Sequence, residues 1–186
     1  MMKVSAILLS FLLLLAGGCG LPERRAPFLP EEFAPYARKG TGVIQGRAWL
    51  WKGDDQIQVA AGREVILKPV TTYTTEWIER SVKGGITLGP PDPRARAFVR
   101  KVRADREGRF RFEGLPPGSY YLACPMNLLT FDCILGIDMK KVKWIWKKVD
   151  LGPGEVKTVF LTNDPEGAGR FQRPPSAGSG PSRSSR

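Results

Sequence analysis

Side chains able to do chemistry are few in this sequence and thinly spread. The 186-residue chain has no histidine, which removes the commonest general base near neutral pH and the commonest metal ligand. Serine hydrolase triads and most zinc sites need that side chain. Glu31-Glu32 and Asp54-Asp55 are adjacent acids in expected loops, Asp92 lies in a proline-rich loop, and no spacing sets two carboxylates across a cleft. Trp144 and Trp146 are interleaved with Lys140, Lys141, Lys143, Lys147 and Lys148, a mixture suited to glycan or to anionic lipid headgroups. In strand register both tryptophans fall on one face, so a core-facing pair flanked by solvated lysines is the competing reading. Arg94, Arg96, Arg100, Lys101, Arg103, Arg106, Arg109 and Arg111 read either as a positive sheet face or as a solvated one. The expectation is a non-enzymatic protein with no catalytic residue, no metal and no cofactor.

The formal charge is +11, and only Lys3 lies before Cys19, so nearly all of it belongs to the rest of the chain. A basic chain favours nucleic acid, an anionic membrane or an acidic polymer as neighbour, with solubility alone as the plain alternative. The N-terminus narrows this. Met1–Lys3 is a short positive segment, and Val4–Leu15 is an apolar run too short for a spanning helix of ~20 residues. Ala16-Gly17-Gly18-Cys19 follows. Small residues before a cysteine resemble the lipobox of bacterial lipoproteins, with Leu15 one place further from the cysteine than usual. The resemblance implies a signal peptide over 1–18, a diacylglycerol thioether on Cys19 and an acylated amine there. Two or three chains anchor stably where one does not. Gly20, in place of aspartate, implies the outer membrane, facing the periplasm. Export argues against nucleic acid as a partner.

Residues 19–40 read as a lipidated tether. Pro22, Pro27, Pro30 and Pro35 bias it toward polyproline II, ~60 Å at full reach. Phe28, Phe33 and Tyr36 are its candidate clips onto the domain. Residues 165–186, rich in Gly, Ser, Pro and Arg, read as a disordered tail. The body, 41–164, reads as an all-β, single antiparallel sandwich of about seven strands. The segments are Gly42–Leu50, Arg63–Val70, Phe98–Ala104, Arg109–Glu113, Ser119–Cys124, Val142–Leu151 and Glu155–Thr162. Tyr73, Trp77, Ile78 and Val82 recur at helical spacing, so one short helix is expected around 74–82, ended by Gly84-Gly85.

Asp105–Tyr120 reads D-R-E-G-R-F-R-F-E-G-L-P-P-G-S-Y. Phe110 and Phe112, two apart, point to one side, and Gly108 and Pro116-Pro117-Gly118 supply turns. The stretch resembles the carboxypeptidase regulatory-like domain, a transthyretin-like (prealbumin-type) β-sandwich. The matching residues are Asp105, Gly108, Phe110, Phe112, Leu115, Pro116, Gly118 and Tyr120. Gly42–Gly46 and Val65–Pro69 look like that family's first two strands. The resemblance implies a non-catalytic module. Two enzyme groups on this fold, hydroxyisourate hydrolases and intradiol dioxygenases, depend on histidines that this chain lacks.

Two cysteines remain once Cys19 is acylated. On the exported side Cys124 and Cys133 are expected to form a disulfide closing a loop of about ten residues, with two buried free thiols as the alternative. The loop Pro125–Asp132 is apolar, and Met126, Leu128 and Phe131, with Trp77 in the helical segment, are the candidate partner-binding residues. Packing of that loop back over the sandwich edge is the alternative. The expected function is a binding or scaffolding module at an envelope membrane, taking a glycan, an anionic lipid or an envelope protein. An accessory lipoprotein of a secretion or surface assembly, docking through 71–97 or 125–132, is the other reading.

Overall fold

The motif at 105–120 folds as its residue types dictate. The computed structural model describes residues 23–53, 56–132 and 137–164, and of 128–132 and 137–141 only the backbone. The Asp105 carboxylate accepts from the Glu107 and Arg109 amides at 2.9 and 2.7 Å, closing a tight turn. Gly108 stands in that turn at φ +77°, and a Cβ there would lie 2.6 Å from the Ala48 carbonyl oxygen. Alternation in Arg109–Leu115 then buries Phe110, Phe112 and Leu115, each large side chain contributing about 2–3 kcal/mol. The buried Tyr120 hydroxyl donates to the Pro116 carbonyl at 2.6 Å, which fixes the turn into the next strand.

Eight strands are present among the described residues: β1 (Gly42–Gly53), β2 (Gln56–Val59), β3 (Glu64–Pro69), β4 (Arg100–Arg103), β5 (Arg109–Leu115), β6 (Gly118–Asp132), β7 (Ile137–Leu151) and β8 (Val156–Leu161). They form two sheets. In one, β1 pairs with β2, β5 and β8; the other runs β4-β3-β6-β7. Ile44, Leu50, Val65, Leu67, Leu122 and Leu161 fill the space between them. The architecture is the expected all-β sandwich, with two differences. β2 adds a strand at the end of β1, and β8 lies parallel to β1, from Val43↔Val156 to Ala48↔Leu161. Gly46 permits that contact: a Cβ would lie 1.8 Å from the Val159 carbonyl oxygen.

Two further expectations are corrected. Residues 125–132 are not a loop, because β6 runs through Pro125 to Asp132, paired along its length with β7. Cys124 is a free thiol, fully buried between the sheets, with Met126 Sδ at 3.9 Å. The loop that a disulfide was to close is continuous strand; Cys133 lies outside the described residues, as do Cys19, the segment 1–18, Asp54-Asp55 and the tail 165–186.

A third layer covers the outer face of the β4-β3-β6-β7 sheet. The helix starts earlier than expected because Thr71 caps it: its hydroxyl accepts from the Thr74 amide, and the Thr74 hydroxyl accepts from the Thr71 amide, a reciprocal cap worth about 1 kcal/mol. Three short α-helices are described: α1 (Pro30–Phe33), α2 (Thr72–Glu76) and α3 (Pro93–Arg96). α2 continues as a π-helical run, Trp77–Lys83. The segment read as an extended tether is packed down from Glu23 onward. Phe33 is buried, stacked on Phe28 at 4.5 Å and against Phe98 at 4.9 Å. Glu32 accepts from the Thr72 amide and hydroxyl, and Glu76 accepts from the Ala26 amide.

Candidate functional site

Strand alternation sorts β3 into two rows. Val65 and Leu67 enter the core between the sheets; Ile66 and Lys68 stand on the outer face. Register carries this row across the sheet: Lys68 lies beside Tyr121 of β6, and Ile66 lies between Lys101 of β4 and Ala123 of β6, with Trp146 of β7 next. Trp144 and Trp146, two apart, share that face. They face the helical layer and not the inter-sheet core, packing against Trp77, Ile78, Leu88 and Tyr121.

The helical layer closes over this row unevenly. Trp77 meets Trp144 edge to face at 5.5 Å and 86°, and the Tyr121 and Thr75 hydroxyls are 3.1 Å apart. Toward β4 the layer stands off and leaves a cleft of about 550 Å³, within the ~300–1,000 Å³ of small-ligand sites. Its walls carry Lys68, Tyr73, Trp77, Arg96, Lys101 and Trp144, with Arg25 at one side and no carboxylate. A shallower depression shares Arg25 and Trp144 and continues along Trp146.

Lys68 dominates the electrostatics. Its ammonium lies 3.4 Å from the Trp77 ring centroid, a cation–π contact. Burial pushes its pKa from 10.5 down to about 7, and the charges of Arg25 and Lys101 push the same way. The other cations around it are partly committed. Lys101 pairs with Glu64 at 2.9 Å, and Arg25 donates to the Gly89 carbonyl and lies over the Tyr73 ring at 5.7 Å. Nearby acids are engaged elsewhere: Asp92 with Arg94, Glu76 with Arg80. The Arg94 hydrogen bond holds the Asp92 carboxyl below its ordinary range. Among the described residues no hydrogen bond or ion pair engages the Lys68 ammonium.

Of the expected partner-binding residues, Trp77 lines this cleft. Met126 is fully buried between the sheets, so it presents no surface and is corrected to a core residue. The side chains of Leu128 and Phe131 lie outside those described. The basic run is divided: Arg100, Lys101 and Arg103 lie on β4, Arg109 and Arg111 on β5 of the other sheet. Arg109 and Arg111 have acidic neighbours in Asp105 and Glu113, so the run does not make one positive face. Among the described residues no group of three potential metal ligands occurs. The arrangement is equipped to bind: it offers aromatic faces for an apolar ring surface and cations for an anion.

The chain matches no protein-family model and no curated protein. Among solved structures it is similar to a protein of Pseudomonas aeruginosa proposed to bind carbohydrate, with a TM-score of 0.64 and 26% identity, over 74% of this chain and 99% of that one. It also aligns with a minor pilin of Streptococcus agalactiae, at a TM-score of 0.37 and 16% identity, over 67% of this chain and 44% of the pilin. The similarity to the Pseudomonas aeruginosa protein takes in nearly all of that protein, and the architecture it shares with this chain is the β-sandwich.

Proposed function

We propose that this protein is a non-enzymatic, lipid-anchored module of the bacterial envelope that binds carbohydrate in the cleft between the outer face of β3 and the helical layer. The observation that carries the reading is the cleft itself, in which Trp77, Trp144 and Tyr73 present aromatic surface beside polar and cationic groups. Aromatic side chains with a few oriented polar groups are what an amphipathic ring such as a sugar requires. The suggested carbohydrate binding of the Pseudomonas aeruginosa protein supports it. A lining without carboxylates supports a binding role over glycoside hydrolysis, which uses a pair of them. The residues at 105–120 support placing the domain with the carboxypeptidase regulatory-like, transthyretin-like modules. Ala16–Cys19 supports a lipid on Cys19 and an outer-membrane position facing the periplasm.

Isothermal titration against a panel of envelope oligosaccharides tests the site. Trp144→Ala is expected to weaken binding by about tenfold or more; because Trp144 also packs against Trp77 and Leu88, the variant loses stability as well, and binding is read at a temperature where it is folded. Binding that survives both Trp144→Ala and Trp77→Ala refutes this cleft as the site. Mass spectrometry of native protein tests the anchor, the expected product being a peptide that begins at acylated Cys19.

A further inference from the structure

A neutral sugar leaves one feature of the cleft unexplained. Lys68 is held among aromatic and apolar groups, and among the described residues no anion lies beside it. Placing an ammonium in such surroundings is costly unless an opposite charge accompanies it. Lys101 and Arg96 bring further positive charge to the same walls, and Arg25 adds it at the side. Carboxylates are absent from the lining; of those nearby, Glu76 and Asp92 are paired outside it, and Glu64 is paired with Lys101 at its edge. Cations gathered in a low-dielectric concavity focus the field on whatever enters.

We propose that the cleft is selective for an acidic saccharide, whose anionic group sits at Lys68 and whose ring lies against the aromatic wall. This rests on the carbohydrate reading above and names its ligand class. Lys68 is the selectivity residue, because it is less exposed than Lys101 and Arg96, is held against Trp77, and among the described residues no carboxylate pairs with its ammonium. Lys101 and Arg96 add attraction from the rim. The concave aromatic walls favour a sugar ring over a lipid headgroup, which is presented at a flat surface. Loss of the Lys68 charge, with its stem kept by Lys68→Met, removes the preference for the acid and spares the contact with the ring.

Titration calorimetry on the full protein tests this with matched pairs: short oligomers of galacturonate, glucuronate and mannuronate, each beside its carboxyl-reduced form. At low salt the acidic member of at least one pair is expected to bind at least about tenfold more tightly, and Lys68→Met is expected to bring the two within about twofold. Lys101→Gln, at the rim, is expected to reduce the preference without abolishing it. Equal binding of every acidic and reduced pair overturns the inference and leaves the carbohydrate reading intact. Binding of no oligomer of either kind overturns both. A preference that survives in Lys68→Met overturns the assignment to Lys68. Inorganic phosphate or anionic phospholipid vesicles binding where no oligomer does overturn the saccharide as ligand.

Discussion

Replacement of Lys68 by methionine is expected to stabilise the fold, and by an amount that depends on pH. The native protein holds the Lys68 ammonium in a site that depresses its pKa from 10.5 to about 7. At ~1.36 kcal/mol per pH unit, this sets a penalty on the charged form on the order of 5 kcal/mol. The cleft opens to solvent and Trp77 returns part of the loss through its ring, so the net gain from Lys68→Met is smaller, about 2 kcal/mol. An unfolded chain keeps its Lys68 proton up to pH 10.5, whereas the folded chain releases it at about 7. Between those values the unfolded state binds more protons, so this residue's contribution makes the native protein gain stability as pH rises. The methionine variant lacks that contribution. Its advantage is therefore full below about pH 7 and fades toward pH 10.5. Urea unfolding followed by tryptophan fluorescence, at about pH 6, 8 and 10, reads the difference; other titrating groups are common to both proteins and cancel. A difference that stays constant over that range, or a variant less stable at about pH 6, refutes the account of Lys68 as a half-buried, unmatched charge.

Tyr120→Phe removes the hydroxyl that donates to Pro116 and is expected to cost about 1–2 kcal/mol in urea unfolding. Gly46→Ala forces a methyl group against the Val159 carbonyl; separating β8 from β1 is expected to cost about 3 kcal/mol or more, read as a lowered melting temperature. Burial pushes the Cys124 thiol up to about 12. In a variant with Cys19 and Cys133 replaced by serine, a colourless-to-yellow disulfide reagent at about pH 8 is expected to leave the folded protein unlabelled and to react within minutes after urea unfolding.

The motif around Phe110 was legible because each of its residues has a local task. Asp105 closes a turn on its own neighbours, Gly108 makes room for a carbonyl, and Tyr120 reaches a residue four back. Alternation likewise marked the interior rows of β3 and β5. β2 escaped notice because Gln56-Ile57-Gln58-Val59 is half polar, short and paired only with the end of β1. The parallel course of β8 has no local signal, since alternation reports a buried face and not a strand's direction. Two cysteines expected to pair suggest a loop over residues 125–132, where a strand in fact continues. The cleft was hidden for a different reason. Lys68 reads as one solvated lysine in an alternating strand until the helical segment is folded over that face, and no periodicity says which sheet face a helix will cover. A signal did exist in Ile66 and Lys68 standing opposite in phase to Val65 and Leu67. Trp144 and Trp146 share one side of another strand, so the outer face carries too much apolar surface to be left in water.

If Cys19 carries the proposed lipid, the docking of Glu23 beside Leu88 would set how far the domain could stray from a bilayer. Under the proposed acylation, the leash from Cys19 to Glu23 is four residues, no more than ~14 Å when taut. Arg25, two residues further on, already forms part of the cleft wall. The opening would thus ride within touching distance of the lipid surface, in reach of polymers that lie along the membrane and turned away from those crossing the periplasm at a height.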